Sequence, residues 1–440
     1  MSSIPVTNLY GAAEKPIICK DAFRSLIVLV LLALLYFREQ NDDGPSSIIY
    51  DKAIGGFRWI DLIIILFIVG TVLLARRKCR PWAVPRPIVM PALLFLGALL
   101  FSIYYGWSQG GTNLFFDWRG IALSVGLVVV FGYWVNTPSA LRSAIRVFLV
   151  VFTVRAVWIL LSYVFGGGVI AAVSGVRLPL FDGSTLSISC LAAILSIRFW
   201  LEEPRFIARL GYLLSALLAN FLVVICFRRT FWMELFIASV ILLYPNRKLR
   251  LFGAAVLMIG LTIAIVTVPD VFIERIKSFN VLAGDEASDY AETNMGHVGD
   301  LLDAWDQIQE HPITGIGQGS AYDTVRIVEW KTESWMVHNA ALHVWLRYGI
   351  LGLMAYFWFH FRLLKWIRGV KYGTDRRVRA FAEASFAYLT AVFVVSLGFA
   401  PWPYGQTQSC VAVAYLLGCL FALQKFRDPL SFPPEIHGNE

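Results

Sequence analysis

Charge is what this chain has least of. Of its 440 residues only 15% are Asp, Glu, Lys or Arg, against roughly 25% in a soluble globular domain. So few charges cannot cover a water-facing surface of this size, which excludes an ordinary soluble protein. A disulfide framework or zinc site is missing too. Cys19, Cys79, Cys190, Cys226, Cys410 and Cys419 sit in apolar runs or short connectors, and no pair has metal-ligand spacing. No small-x-small cleavage site follows the first apolar run, Phe23 to Phe37, so the run reads as a retained helix and not a signal peptide. No internal repeat relates the two halves, which weighs against transporters built from paired repeats.

What the chain does have is hydrocarbon: 58% hydrophobic residues, with 32 Phe, 17 Tyr and 15 Trp. A bilayer span needs about 20 apolar residues. Apolar runs fall at 22–37, 57–75, 88–105, 119–135, 143–165, 184–201, 206–227, 229–244, 250–269, 339–361, 380–400 and 408–424. The expected fold is therefore all-α, a polytopic membrane protein of about twelve transmembrane helices. A net charge of +8 does not indicate nucleic acid, because the basic residues occupy connectors between runs. With the N-terminus in the cytoplasm, 25 of the 38 Lys and Arg lie in cytoplasmic segments and 11 on the other side, as the positive-inside rule requires. Both termini are then cytoplasmic. Three regions result: 1–269 with nine spans, a long outer loop at 270–338, and 339–440 with three spans and a tail.

The outer loop differs from everything around it, with thirteen acids against Arg275, Lys277, Arg326 and Lys331, a net charge of −9. Within it Val298, Leu301, Leu302, Trp305 and Ile308 recur at helical spacing, which predicts an amphipathic helix on the membrane or on the bundle. Asp300, Asp303, Asp306 and Glu310 then form a solvated face. His311-Pro312-Ile313-Thr314-Gly315-Ile316-Gly317 ends that helix in a tight turn. His338-Asn339 opens the tenth run, and Gly349-Ile350-Leu351-Gly352 follows inside it. A His at the outer end of a span suits proton transfer, or is an interfacial side chain satisfied by backbone. Arg228-Arg229, at the outer junction of runs seven and eight, runs against the charge bias. Guanidinium at a membrane edge pairs with an anion or snorkels to headgroups. Arg155 and Arg347 lie within runs five and ten. In a regular helix Arg347 sits two and a half turns below His338, where a counter-ion or backbone carbonyls could hold it.

His-Pro-x-x-Gly-x-Gly, then His-Asn at a span start, then Gly-Ile-Leu-Gly inside that span, resembles the O-antigen ligase and polymerase superfamily. About twelve spans with the large periplasmic loop between the ninth and tenth agree with it. The resemblance implies a GT-C-like glycosyltransferase architecture in the inner membrane of a Gram-negative bacterium, with short helices in the loop. It implies an enzyme that moves a glycan from undecaprenyl pyrophosphate to a hydroxyl of lipid A-core at the periplasmic face. His338 would be the base. Arg229, in Arg229-Thr230-Phe231-Trp232, matches the family's corner arginine better than Arg228 does, and Arg275 matches the arginine after span nine. These would hold the pyrophosphate, with Asn339, His297 and His311 as candidates for a supporting layer. One departure stands out: many relatives carry Arg seven residues before the Ala of the amphipathic helix, and here that position is His297. No cofactor or metal is expected, since the outer side has no Asp-x-Asp. The partners expected are the lipid-linked donor, the lipid A-core acceptor and membrane lipid, with no nucleic acid. The modest loop and the lack of an appended soluble domain favour a ligase. A polymerase and a protein oligosaccharyltransferase of the same superfamily share the motif, and a secondary transporter or a non-catalytic flippase is a reading of another class.

Overall fold

The structure is a computed structural model that describes residues 26–28, 30, 52–54, 57–77, 84–111, 114–165, 169–170, 177–178, 183–225, 229–245, 247–267, 289–323, 333–334, 337, 339–370, 375–398 and 407–424. Among the described residues twelve helices are delimited: α1 (Trp59–Arg77), α2 (Arg86–Ser108), α3 (Leu114–Trp134), α4 (Pro138–Val164), α5 (Gly183–Trp200), α6 (Phe206–Ile225), α7 (Arg229–Leu243), α8 (Arg247–Thr267), α9 (Asp289–Glu310), α10 (Ala340–Val370), α11 (Arg376–Ser396) and α12 (Thr407–Leu423). The strands are three hairpins of two or three residues a side: β1 (Lys52–Ile54) with β2 (Phe57–Arg58), β3 (Val169–Ile170) with β4 (Arg177–Leu178), and β5 (Tyr322–Asp323) with β6 (Glu333–Ser334). Eleven of the twelve apolar runs coincide with a helix. The run at 22–37 lies largely outside the described residues. Among those residues α2, α4, α6, α10 and α11 are long and apolar enough to cross a membrane, and the protein is an all-helical multi-pass membrane protein.

The helix ends follow from local chemistry. Thr137 precedes Pro138, and its hydroxyl accepts from the Ala140 amide at 3.1 Å, an N-cap with proline in the first turn. Asp375 caps α11 by accepting from the amides of Arg377 (2.9 Å) and Val378 (3.0 Å). The core centres on α5, whose segment from Leu186 to Ile197 is buried all round between α4, α6, α7, α11 and α12. A helix apolar on every side belongs inside a bundle. The outer walls show the opposite: α2 exposes Leu93, Leu94, Leu100 and Phe101, and α4 exposes Val150, Val154 and Trp158. Such surfaces face hydrocarbon in a protein with apolar spans.

At one end of the bundle the connectors are tied by ions. Glu203, between α5 and α6, accepts from Arg142 at 2.6 and 2.7 Å and from Arg146 at 2.8 Å. Burial alone would raise the Glu203 carboxyl, but the two guanidinium groups outweigh it and hold the group below its ordinary value. Arg198 bridges Glu202 (2.9 Å) and Glu383 (2.7 Å), joining α5 to α11.

Candidate functional site

At the other end of α10 the helix is broken, and the break organises the site. Gly349 adopts φ 66° and ψ −175° in the middle of α10. An added Cβ there would collide with the carbonyl oxygen of Ile313, so the position requires glycine on two counts. A broken helix inside a membrane protein frees backbone groups that must find partners in the protein. The turn at 311–320 supplies them. The Ile350 amide donates to the Pro312 carbonyl at 3.1 Å, and the Ile316 amide to the Leu346 carbonyl at 2.7 Å. The Arg347 carbonyl receives the Ser102 hydroxyl of α2 at 2.6 Å. The helix is regular from Ala340 through Tyr348, so Arg347 lies two residues before the break.

Arg347 is fully buried, and its guanidinium donates to the carbonyls of Gly317 (3.1 Å) and Ser320. Carbonyl binding, one of the structural roles open to it, is therefore realised. Gln318 completes the lock, its amide donating to the Ser102 carbonyl at 3.0 Å and its side chain to the Tyr348 hydroxyl. Gly317, with φ 83°, lies so near α2 that an added Cβ would stand 2.5 Å from the Gly106 amide nitrogen. The Pro-Gly turn read from the sequence is therefore a plug, seated between α2 and the two halves of α10.

The amphipathic helix α9 packs on α10, with Ala304 and Ile308 buried against Ile316, Val337 and Leu346. Its acids do not form the solvated face expected. Asp300 (2% exposed) and Asp303 (4%) are buried, whereas Asp306 and Glu310 are exposed. Val298, Leu302 and Trp305 are exposed, so of the two surfaces expected to cover them the bundle is not the one. Periodicity had grouped the residues, but the helix is turned so that two carboxylates face the protein. Beneath them lies His343, 2% exposed, which interacts electrostatically with Asp300 and Arg347. Its Nδ1 accepts from the Val337 amide at 3.5 Å. His343 is a residue that motif reasoning passed over. A histidine one helical turn past Asn339 was the available signal.

Of the residues singled out from the sequence, Asn339 is placed as the N-cap of α10. Its Oδ1 accepts from the Leu342 amide at 3.0 Å, and its amide nitrogen donates to the Leu397 carbonyl at the end of α11. That cap fixes where α10 starts and ties it to α11. His311 is exposed, and its carbonyl closes the turn by accepting from the Gly315 amide at 2.9 Å. Arg229 opens α7 and His297 lies in α9, and only their backbone positions are described. His338, Arg228 and Arg275 lie outside the described residues. Five residues beyond Arg229, the buried carboxylate of Glu234 accepts from Ser187 at 3.2 Å, and Ser187 shares a 2.7 Å hydrogen bond with the Tyr388 hydroxyl. This network pins α7 to α5 and α11. A lone acid in the apolar run 229–244 was its sequence signal.

These features define a helical membrane protein whose inter-span loop is locked into a broken helix. Comparison with known proteins finds a likeness in the same region. Residues 208–357, from α6 to the middle of α10, match the family described as O-antigen ligase. An O-antigen ligase of Salmonella typhimurium is 29% identical over 174 residues, covering 36% of this chain. That match spans 40% of the relative's length. Both findings support a likeness to the O-antigen ligase superfamily, to which the motif order points.

Proposed function

We propose that this protein is an O-antigen ligase that transfers a finished glycan from undecaprenyl pyrophosphate to a hydroxyl of lipid A-core. The observation that carries the reading is the plug. The His-Pro-x-x-Gly-x-Gly turn, inside the family-matched stretch, is seated in the Gly349 break and held by Arg347, next to the Asn339 cap that follows His338. A rigid corner of this kind is what a reacting histidine needs, because transfer rates depend on held geometry.

In this reading twelve spans carry both termini in the cytoplasm, the 270–338 loop lies in the periplasm, and the regions divide at 269 and 338. His338 takes the proton from the attacking hydroxyl as it displaces the pyrophosphate, inverting the anomeric centre. Arg229 and Arg275, with Arg228 beside them, bind the pyrophosphate in the fork geometry that guanidinium offers and stabilise the charge that develops on it. Two or three arginines supply that charge without a metal ion. His297, where many relatives have Arg, stands with Asn339 and His311 in the supporting layer.

The test is a lipopolysaccharide gel with parallel extraction of lipid-linked glycan, from a host lacking the gene and complemented with wild type or His338→Ala. The expected result is core-only lipopolysaccharide with long chains accumulating on undecaprenyl pyrophosphate, rescued by wild type and not by the variant. Core bearing a single repeat unit would mean a polymerase instead. An unchanged ladder would end both readings.

A further inference from the structure

The turned amphipathic helix has an unexpected surface. Viewed around its axis, α9 has three sectors. One, with Asp300, Asp303, Ala304 and Ile308, is buried against the protein. A second carries the exposed acids Asp306 and Glu310. The third carries Val298 (55% exposed), Leu302 (46%) and Trp305 (39%) at the i, i+4, i+7 spacing of one helical stripe. For a helix bathed in water this is the wrong way round. Two carboxylates lose hydration while a Val, a Leu and a Trp keep theirs, against the preference of apolar surface to leave water.

The apolar stripe does not end at α9. The Trp305 ring meets Trp345 edge to face, with centroids 5.6 Å apart, and Trp345 donates from its indole nitrogen to the Pro312 carbonyl at 2.9 Å. Next to that contact stands Ile313, 67% exposed. Ile313 and Thr314 roof a cleft of about 670 Å³ between α2 and α10, walled by Phe101, Leu351, Met354 and Trp358. Both of those helices are long and apolar enough to span a bilayer, so the cleft opens onto the lipid-facing wall of the bundle. One apolar surface therefore runs from the wall of two spans, past a tryptophan pair, onto α9. Tryptophans gather at the level where hydrocarbon meets headgroups.

We propose that α9 lies in the membrane interface, with Val298, Leu302 and Trp305 resting among the acyl chains of the adjacent leaflet, Asp306 and Glu310 in water, and Asp300 and Asp303 against the protein. The partner of this surface is bilayer lipid. An interfacial helix of this kind has its apolar face immersed by roughly 5–10 Å, and α9 thereby sets the depth at which the plug and the start of α10 meet the membrane. The inference rests on exposure and continuity, and does not depend on ligase chemistry.

Spin labels at Val298→Cys, Leu302→Cys, Asp306→Cys and Glu310→Cys, in full-length protein with its native cysteines replaced and reconstituted into phospholipid vesicles, test it. The expected outcome is collision with oxygen several-fold above collision with a water-soluble nickel complex at 298 and 302, and the reverse at 306 and 310. Equal access to nickel at all four sites would overturn the proposal, as would shielding of 298 and 302 from both reagents, which indicates a protein partner or a second copy. Since cysteine replacement can unfold the chain, benzoylphenylalanine at Leu302 in the otherwise unaltered protein gives a second reading. Photocrosslinking to phospholipid supports the proposal, and crosslinking to protein alone refutes it.

Discussion

Two regions, one at the break in α10 and one among the connectors near its other end, are held by opposite kinds of chemistry. At the Ala340 end, neutral backbone groups of the 311–320 turn fill a gap that Gly349 opens, and a single buried guanidinium binds their carbonyls. At the far end, near where α10 hands over to α11, side-chain ion pairs tie the connectors: Arg142 and Arg146 to Glu203, and Arg198 to Glu202 and Glu383. The first arrangement is rigid because the Ile350 amide and the Leu346 and Arg347 carbonyls, freed by the break, each have a partner of fixed geometry. The second relies on charge, tolerates small shifts, and responds to pH. A site that must hold a reacting group still belongs at the first kind of end, and the family-matched motif is found there.

The comparison breaks most sharply at Gly349. Gly349→Ala forces a Cβ into the Ile313 carbonyl at a φ of 66°. The backbone at φ 66° and ψ −175°, a region essentially confined to glycine, alone costs about 1–3 kcal/mol for another residue. Expelling the plug also leaves its backbone partners unpaired, at about 1–3 kcal/mol for each buried group. Thermal unfolding of the purified protein should show a loss of about 3 kcal/mol or more, and transfer activity should fall at least tenfold by about 1.4 kcal/mol per decade. Gly70→Ala is the control, since an added Cβ there meets nothing within 4 Å. Equal stability of the two variants would remove the plug from the argument.

The ionic end predicts a smaller and pH-dependent effect. Glu203→Gln removes the acceptor shared by Arg142 and Arg146 and should cost about 1.5–3 kcal/mol at neutral pH, the range for hydrogen bonds to charged groups. The folded-state value of Glu203 is depressed below 4.5. Its contribution is therefore complete above that ordinary value and is lost as pH falls through the depressed one. Unfolding measured at pH 7 and in strong acid should show the gap between wild type and variant closing on acidification. A gap that stays constant would mean the pairs hold nothing in place.

The same contrast explains what could be read from the sequence. Helices were legible because a spanning segment must be apolar and must satisfy its own backbone, so the runs and the helices of α1–α8 and α10–α12 coincide. The turn at 311–317 was legible from Pro312, Gly315 and Gly317. The break at Gly349 was not, because a lone glycine in an apolar run looks like any small packing residue. It is a break only because Pro312 and Ile316, more than thirty residues upstream, supply its partners. Nor could the sequence orient α9. A helical period says that Val298, Leu302 and Trp305 share a face, but not whether that face meets water, lipid or protein. Asp300 and Asp303 were therefore assigned to the wrong medium. Asn339 was picked out beside His338 for chemistry and serves as a cap, while His343 escaped notice because no motif contains it.

The smallest effect separates buried ions from those that merely adorn the surface. Arg376 lies 3.2 Å from Glu202 but its side chain is 74% exposed, whereas the Arg198 side chain that binds the same carboxylate is only 6% exposed. Water and salt screen the first pair, and ordering a long side chain offsets much of what remains. Arg376→Ala should change unfolding stability by less than about 0.5 kcal/mol, with any difference vanishing in high salt. Arg198→Ala, which removes the buried partner of both Glu202 and Glu383, should be clearly destabilising in the same assay. If Arg376→Ala matched Arg198→Ala, the ionic end would be one cooperative network, and its tolerance of small shifts, the property that sets it apart from the plug, would have to be given up.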